Sequence, residues 1–222
     1  MRRPLLFSII GLLALALVPA QASVIQYALT SDHCTGSCGP AGTTFGTITL
    51  TDLAAGTVQV SVSLSGAYRF VTGGGDADIG WNLNLSPDPT ISASTPSGWS
   101  LVSTSPGSLH MDGTGDFEYG IECIVCGSGA SNPQTGPITF TVSASGLSAA
   151  GFAEQNAAGQ FFAVDIFNSA TTGAGAGNTG HVDASSAGVC TGCVSETPEP
   201  SSLALVLGGL LVVAARVMRR YV

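Results

Sequence analysis

Along the middle of the chain, apolar and small polar residues alternate with a period of two. The stretch Thr44-Phe45-Gly46-Thr47-Ile48-Thr49-Leu50 shows it, and Thr57-Val58-Gln59-Val60-Ser61-Val62-Ser63-Leu64 shows it most clearly. This is the signature of a strand with one face on a core and one toward water. Asp52-Leu53-Ala54-Ala55-Gly56 between them reads as a hairpin connection. Further strands are expected at Ile25–Leu29, Tyr68–Val71, Ile79–Leu85, Trp99–Ser103, Phe117–Ile121, Ile138–Ala144 and Phe161–Phe167. Turn clusters divide them, among them Gly73-Gly74-Gly75-Asp76, Ser86-Pro87-Asp88-Pro89 and Ser131-Asn132-Pro133. No amphipathic helical stretch of ordinary length lies between the ends, and Leu147–Gln155 offers only a short helical turn. Eight or nine short strands in about 175 residues predict an all-β sandwich, jelly-roll or immunoglobulin-like in topology.

Both ends break the alternation. Met1-Arg2-Arg3, the apolar run Leu5–Val18 and Pro19-Ala20-Gln21-Ala22 form a charged region, a hydrophobic region and a small-residue cleavage site in that order. They predict a secretory signal peptide over residues 1–22, cut between Ala22 and Ser23. Ser201–Ala215 carries no charge, and Arg216, Arg219 and Arg220 follow. Extended to about residue 218, it predicts a transmembrane helix of marginal length with its Arg cluster on the cytoplasmic side. The exported domain then occupies residues 23–197, and small-residue stretches near its end suggest a flexible stalk over 170–197.

Composition sharpens this division. Charged residues make up 9% of the chain, there is no Lys, and five of the six Arg lie at the ends. Residues 23–197 keep Arg69 against thirteen acids, a formal charge of −12. Nucleic acid is excluded as an expected partner, because a phosphate backbone is bound through Lys and Arg.

Immediately before the apolar run stands Thr197-Pro198-Glu199-Pro200. Pro198-Glu199-Pro200, then a marginal transmembrane segment, then terminal Arg resembles the PEP-CTERM sorting signal of Gram-negative bacteria, over residues 198–222. The resemblance implies recognition by an exosortase, a membrane cysteine protease-transpeptidase, with processing near the tripeptide. It also implies transient anchoring in the inner membrane, then deployment to the cell surface or an extracellular matrix in which exopolysaccharide is a partner. The two prolines suit a recognition site, since they hold the segment extended and outside the following helix. The strand pattern and Cys pairs are similar, more loosely, to a group of exported PEP-CTERM proteins, which contributes no functional residues.

The six Cys fall as Cys34 and Cys38, Cys123 and Cys126, and Cys190 and Cys193. In an exported chain, disulfides are expected, most simply within each pair. The same spacing would serve zinc or an iron–sulfur cluster if the thiols were reduced.

Candidate chemistry is sparse. His33, His110 and His181 each stand near an acid, Asp32, Asp112 and Asp183, without a GxSxG or HExxH motif, and are expected as surface-loop histidines. No enzymatic activity is expected. The acidic, Gly-rich loops Gly73–Asp78 and Asp112–Glu118 place Asp76, Asp78, Asp112 and Asp116 where they could share calcium, but lack EF-hand spacing. The expectation is therefore no cofactor, with calcium as the alternative. Trp81 and Trp99 could form a sugar-stacking platform or belong to the core. These readings give a structural or interaction protein at the cell surface, with a polysaccharide- or calcium-binding lectin-like module as the alternative.

Overall fold

The computed structural model of the chain describes residues 24–185. The signal peptide with its Ala22–Ser23 cut, Cys190 and Cys193, Pro198-Glu199-Pro200, the transmembrane helix and Arg216, Arg219 and Arg220 all lie outside the described residues. In chain order the strands are β1 (Val24–Leu29), β2 (Ser31–Asp32), β3 (Gly46–Ala54), β4 (Thr57–Leu64), β5 (Tyr68–Thr72), β6 (Ile79–Trp81), β7 (Ser92–Ser94) and β8 (Trp99–Leu101). They continue with β9 (Leu109–Met111), β10 (Gly115–Phe117), β11 (Tyr119–Cys123), β12 (Gly129–Gln134), β13 (Ile138–Ser143), β14 (Phe162–Asn168) and β15 (Thr179–Ala184). A 3-10 turn at Ala149–Phe152 precedes β14. Its first amide, from Ala149, is capped by the Asp52 carboxylate at 2.7 Å.

The strands form an all-β, sandwich-like arrangement. The smaller sheet has the order β1-β3-β4-β13-β7. The larger runs β12-β5-β14-β6-β11-β8, with β15 on the other edge of β14 and β2 beyond it. One edge of β14 is shared: Phe162–Val164 pairs with β6, and Ile166–Asn168 pairs with β5. Between the two partners the chain leaves the sheet as the loop from Gly73 to Asp78, and Asp165 sits at that gap. This geometry places the functional candidates.

Alternation explains the core. Ile48, Leu50, Val58, Val60, Val62, Phe140 and Val142 project from the smaller sheet, and Phe70, Ile79, Trp81, Ile121, Phe162, Val164 and Ile166 from the larger; all are buried in one cluster. Each fully buried aliphatic or Phe side chain contributes roughly 1.5–3 kcal/mol of transfer free energy. Phe152, carried by the 3-10 turn, stacks on Phe162 with centroids 6.0 Å apart.

One expected strand comes out shorter, and another divided, for a local reason. Ile79–Leu85 ends at Trp81, because Asn82 Oδ1 accepts from the Glu118 amide (2.9 Å) and Glu118 Oε2 accepts from the Leu83 amide (3.1 Å). Side chains replace the ladder there, and the same bonds divide Phe117–Ile121 between β10 and β11. The stalk expected from residue 170 is corrected as far as the described residues run. Thr179–Ala184 is a strand paired to both β14 and β2, and its last four residues are buried.

Candidate functional site

The outer face of the larger sheet does not meet water where β14 and β15 pass. Since Phe162, Val164 and Ile166 point inward, Ala163 and Asp165 point outward, and His181 and Asp183 do the same on β15. The antiparallel register sets Asp165 opposite His181 and Ala163 opposite Asp183. The β9–β10 hairpin covers this face, with Met111 and Phe117 packed on Ala163. Gly80 makes the approach possible, since a Cβ there would run into Met111 Sδ and lie 3.1 Å from the Phe117 ring.

The Gly73–Asp78 loop completes the cover. The Asp76 amide donates to His110 O at 2.7 Å, and the His110 amide donates back to Asp76 Oδ2 at 2.8 Å. Asp78 ties the loop down: its Oδ2 accepts from the Cys123 amide (2.6 Å) and from Thr72 Oγ1 (3.1 Å), and its carbonyl accepts from the Asp165 amide (2.8 Å). The two acidic loops that stand far apart in sequence are thus clasped together. Three glycines let them settle: a Cβ at Gly73 would strike the Asp165 carboxylate, one at Gly74 the Asp112 carboxylate, and one at Gly75 would lie 3.2 Å from His181 Cε1.

All three histidines of the chain gather here; His33 and His110 are exposed, and the expectation of surface-loop histidines is corrected for His181, which is buried in β15. His181 is 1% exposed, and its backbone carbonyl accepts from the His33 amide at 3.0 Å. His33 Nε2 lies 2.6 Å from Asp183 Oδ2 and 3.1 Å from Ser31 Oγ. His110 has Nδ1 2.9 Å from Asp116 Oδ1 and Nε2 3.4 Å from Asp112 Oδ1. Asp165, 0% exposed, was the residue that sequence reading missed.

Burial governs the protonation of this patch. It pushes the Asp165 carboxyl up to about 8, and the Asp78 carboxylate adds to the effect. Burial likewise raises Asp78 to about 6, against the lowering influence of the Cys123 amide. His181 is held below the ordinary imidazole value by burial. Asp183 is raised by burial, an effect that His33 opposes. On the exposed rim, the hydrogen bond to Asp116 raises His110, and the same bond lowers Asp116. Neither oxygen of Asp165 and neither ring nitrogen of His181 has a hydrogen-bond partner of sound geometry. The Gly73 amide beside the carboxyl and the Ala77 and Asp112 carbonyls beside the ring offset that burial only in part.

The cluster is not arranged as a serine triad, in which the base divides its two nitrogens between the nucleophile and the acid. Ser31 and Asp183 share the same nitrogen of His33, and Ser108 donates to Asp116 rather than meeting His110. Nor do the tryptophans form a sugar platform. Trp81 is fully buried and stacked on Tyr119, and Trp99 is 6% exposed, edge-on to Phe70.

Cys34 is bonded to Cys38 and Cys123 to Cys126, as the pairing within motifs predicts, and no cysteine among the described residues is free. The Asp32 carboxylate organises the first of these loops by accepting from Ser37 Oγ (2.7 Å) and from the amides of Cys38 (2.8 Å) and Cys34 (3.0 Å). Asp32, Cys34 and Cys38 have their donor atoms within 4.8 Å of one another, but the sulfurs are bonded to each other and not available to a metal.

No family model, curated protein or solved structure matches the chain.

Proposed function

We propose that the chain is an exported cell-surface or extracellular-matrix protein, sorted by an exosortase-type protease through its C-terminal signal. The observation that carries this reading is the fixed order of Pro198-Glu199-Pro200, the apolar run Ser201–Ala215 and Arg216, Arg219 and Arg220. The body supports it in kind. Its described cysteines are paired as an oxidising compartment favours. The strand order favours the jelly-roll form of the sandwich. The antiparallel pair β4–β13 lies in the smaller sheet, and the next strands on each side, β5 and β14, pair in the larger, so a two-stranded ribbon wraps from one sheet to the other.

The experiment is cell fractionation with mass spectrometry of the native protein, in cells with and without the sorting protease. Loss of the residues after Pro200 and release from the inner membrane, both dependent on the protease, are the expected results. An intact C-terminus retained in the inner membrane of both strains overturns the reading. A second, ligand-binding reading is favoured by the polar cluster on the larger sheet and not by the buried tryptophans.

A further inference from the structure

We propose that the cluster on the outer face of the larger sheet binds a first-row divalent cation, with His181 and Asp165 as fixed ligands and Asp112 closing on it from the hairpin. Three observations lead there independently of how the chain is sorted.

The first is convergence: a chain with three histidines brings all of them to one patch, from β15, from the β9–β10 hairpin and from the segment after β2. The second is the pair Asp165 and His181. They face each other across neighbouring strands, are 0% and 1% exposed, and leave four polar atoms without a hydrogen bond of sound geometry, with only the Gly73 and Ile166 amides beside the carboxyl and the Ala77 and Asp112 carbonyls beside the ring. An apolar pair would extend the packing of Ala163, Met111 and Phe117 without desolvating those atoms, so a carboxyl and an imidazole here call for a ligand. The third is the run Gly73-Gly74-Gly75, which brings backbone against Asp165, Asp112 and His181 with no side chain between.

The ligand chemistry selects the ion. Calcium and magnesium take oxygen ligands, whereas an imidazole beside carboxylates suits zinc or manganese(II). This changes the expectation of calcium at Asp76, Asp78, Asp112 and Asp116, because three of those carboxylates are already committed: Asp76 to the His110 amide, Asp78 to Cys123 and Thr72, and Asp116 to His110 and Ser108. Asp112 is free to move. Its side chain is 63% exposed, and its 3.4 Å approach to His110 Nε2 is long for a charge-assisted bond. The side-chain donors are not gathered at one point in this structure; the Asp112 carboxylate lies over Gly74, and the proposal requires it to turn from there toward Asp165 and His181.

The test uses the full-length, untagged protein in detergent micelles, stripped with a chelator and titrated with Zn2+, Mn2+ and Ca2+. Bound metal is counted by mass spectrometry and Tm is followed. One equivalent of Zn2+ or Mn2+ with a Tm rise of several degrees is expected, with Ca2+ weaker by at least about tenfold. Asp165→Asn and His181→Gln each weaken binding by at least about tenfold. Co2+ in the wild-type protein gives visible ligand-field bands, a readout that does not require either variant to fold. The proposal is overturned if neither Zn2+ nor Mn2+ binds, if Ca2+ binds more tightly than both, or if the Co2+ spectrum stays that of the hydrated ion. It is also overturned if Asp165→Asn leaves binding intact while His110→Gln abolishes it, since the ion would then sit on the exposed rim.

Discussion

The outer faces of the two sheets obey the same alternation and end in opposite environments. On the smaller sheet, Thr47, Thr49 and Thr51 of β3, Gln59, Ser61 and Ser63 of β4 and Thr139 and Thr141 of β13 reach solvent to a partial or full extent. They keep their hydration, and hydroxyl pairs such as Thr139 with Ser61 at 3.2 Å add a little cross-strand support. On the larger sheet, the outward positions of β14 and β15 hold Ala163, Asp165, His181 and Asp183, all buried beneath the hairpin and the glycine loop. The hydroxyl face reads as solubility. Ionisable groups placed under a second layer cost free energy that solubility does not explain, and so set this face apart from the other.

The widest separation between the two faces is expected from a carboxylate placed at Ala163. That side chain is buried against Met111 and Phe117, on the strand that carries Asp165 and opposite Asp183. A buried acid escapes ionisation by staying protonated, so Ala163→Asp costs up to about 4 kcal/mol at pH 7, the free energy of protonating it three units above its ordinary value. Urea denaturation of the variant against wild type measures it. A cost below about 1 kcal/mol would mean that the hairpin opens readily and the face is wet.

Next in size is the glycine loop. Gly73→Ala puts a methyl into the Asp165 carboxylate and is expected to cost about 1–3 kcal/mol, the usual range for overpacking. Gly107→Ala is the control, because the nearest neighbour of its Cβ would be the Glu118 carbonyl at an ordinary 3.7 Å. Equal shifts in Tm for the two variants would show that the loop does not rest on Asp165.

The sequence made one of these faces legible and concealed the other. β3, β4 and β13 could be read directly, since a strand with one wet face writes its environment into a period of two. β14 is buried on both sides over most of its length, so its pattern is a near-continuous apolar run. The one charge within Phe161–Phe167, Asp165, was the available signal that something unusual covers that strand. β9 and β12 escaped notice because Ser, Gly, Asn and Pro in and around them read as turns; Pro133 is tolerated in β12, an edge strand. The acidic loops were recognised singly, but their meeting depends on β14 pairing with β5 and β6 at once, a relation between distant segments that no local pattern records.

Protonation offers a finer probe of the same contrast. With a chelator present, Asp165 keeps its proton in the folded protein up to about pH 8 and loses it near 3.8 when unfolded. Between pH 6.5 and 8 the native state therefore binds the extra proton, and stability falls as pH rises, by up to about 1.4 kcal/mol per pH unit from this group. His110, raised by Asp116, titrates in the same direction. The difference in slope between wild type and Asp165→Asn isolates the buried carboxyl. Identical slopes from pH 6.5 to 8 would place Asp165 in contact with water.

The smallest effect is expected where the first substitution is repeated on the other sheet. Ser63 on β4 is exposed and lies outward between Val62 and Leu64, as Ala163 lies outward between Phe162 and Val164. Ser63→Asp adds a charge to a body that is already acidic, but water solvates it and salt screens its neighbours. Its cost should stay within about 0.5 kcal/mol, the usual range for surface positions. The pair Ser63→Asp and Ala163→Asp thus holds the chemistry and the strand position constant and varies only what lies above the sheet. If both cost the same in urea denaturation at pH 7, the cover over β14 and β15 contributes nothing to the environment of Asp165 and His181, and the contrast between the faces disappears.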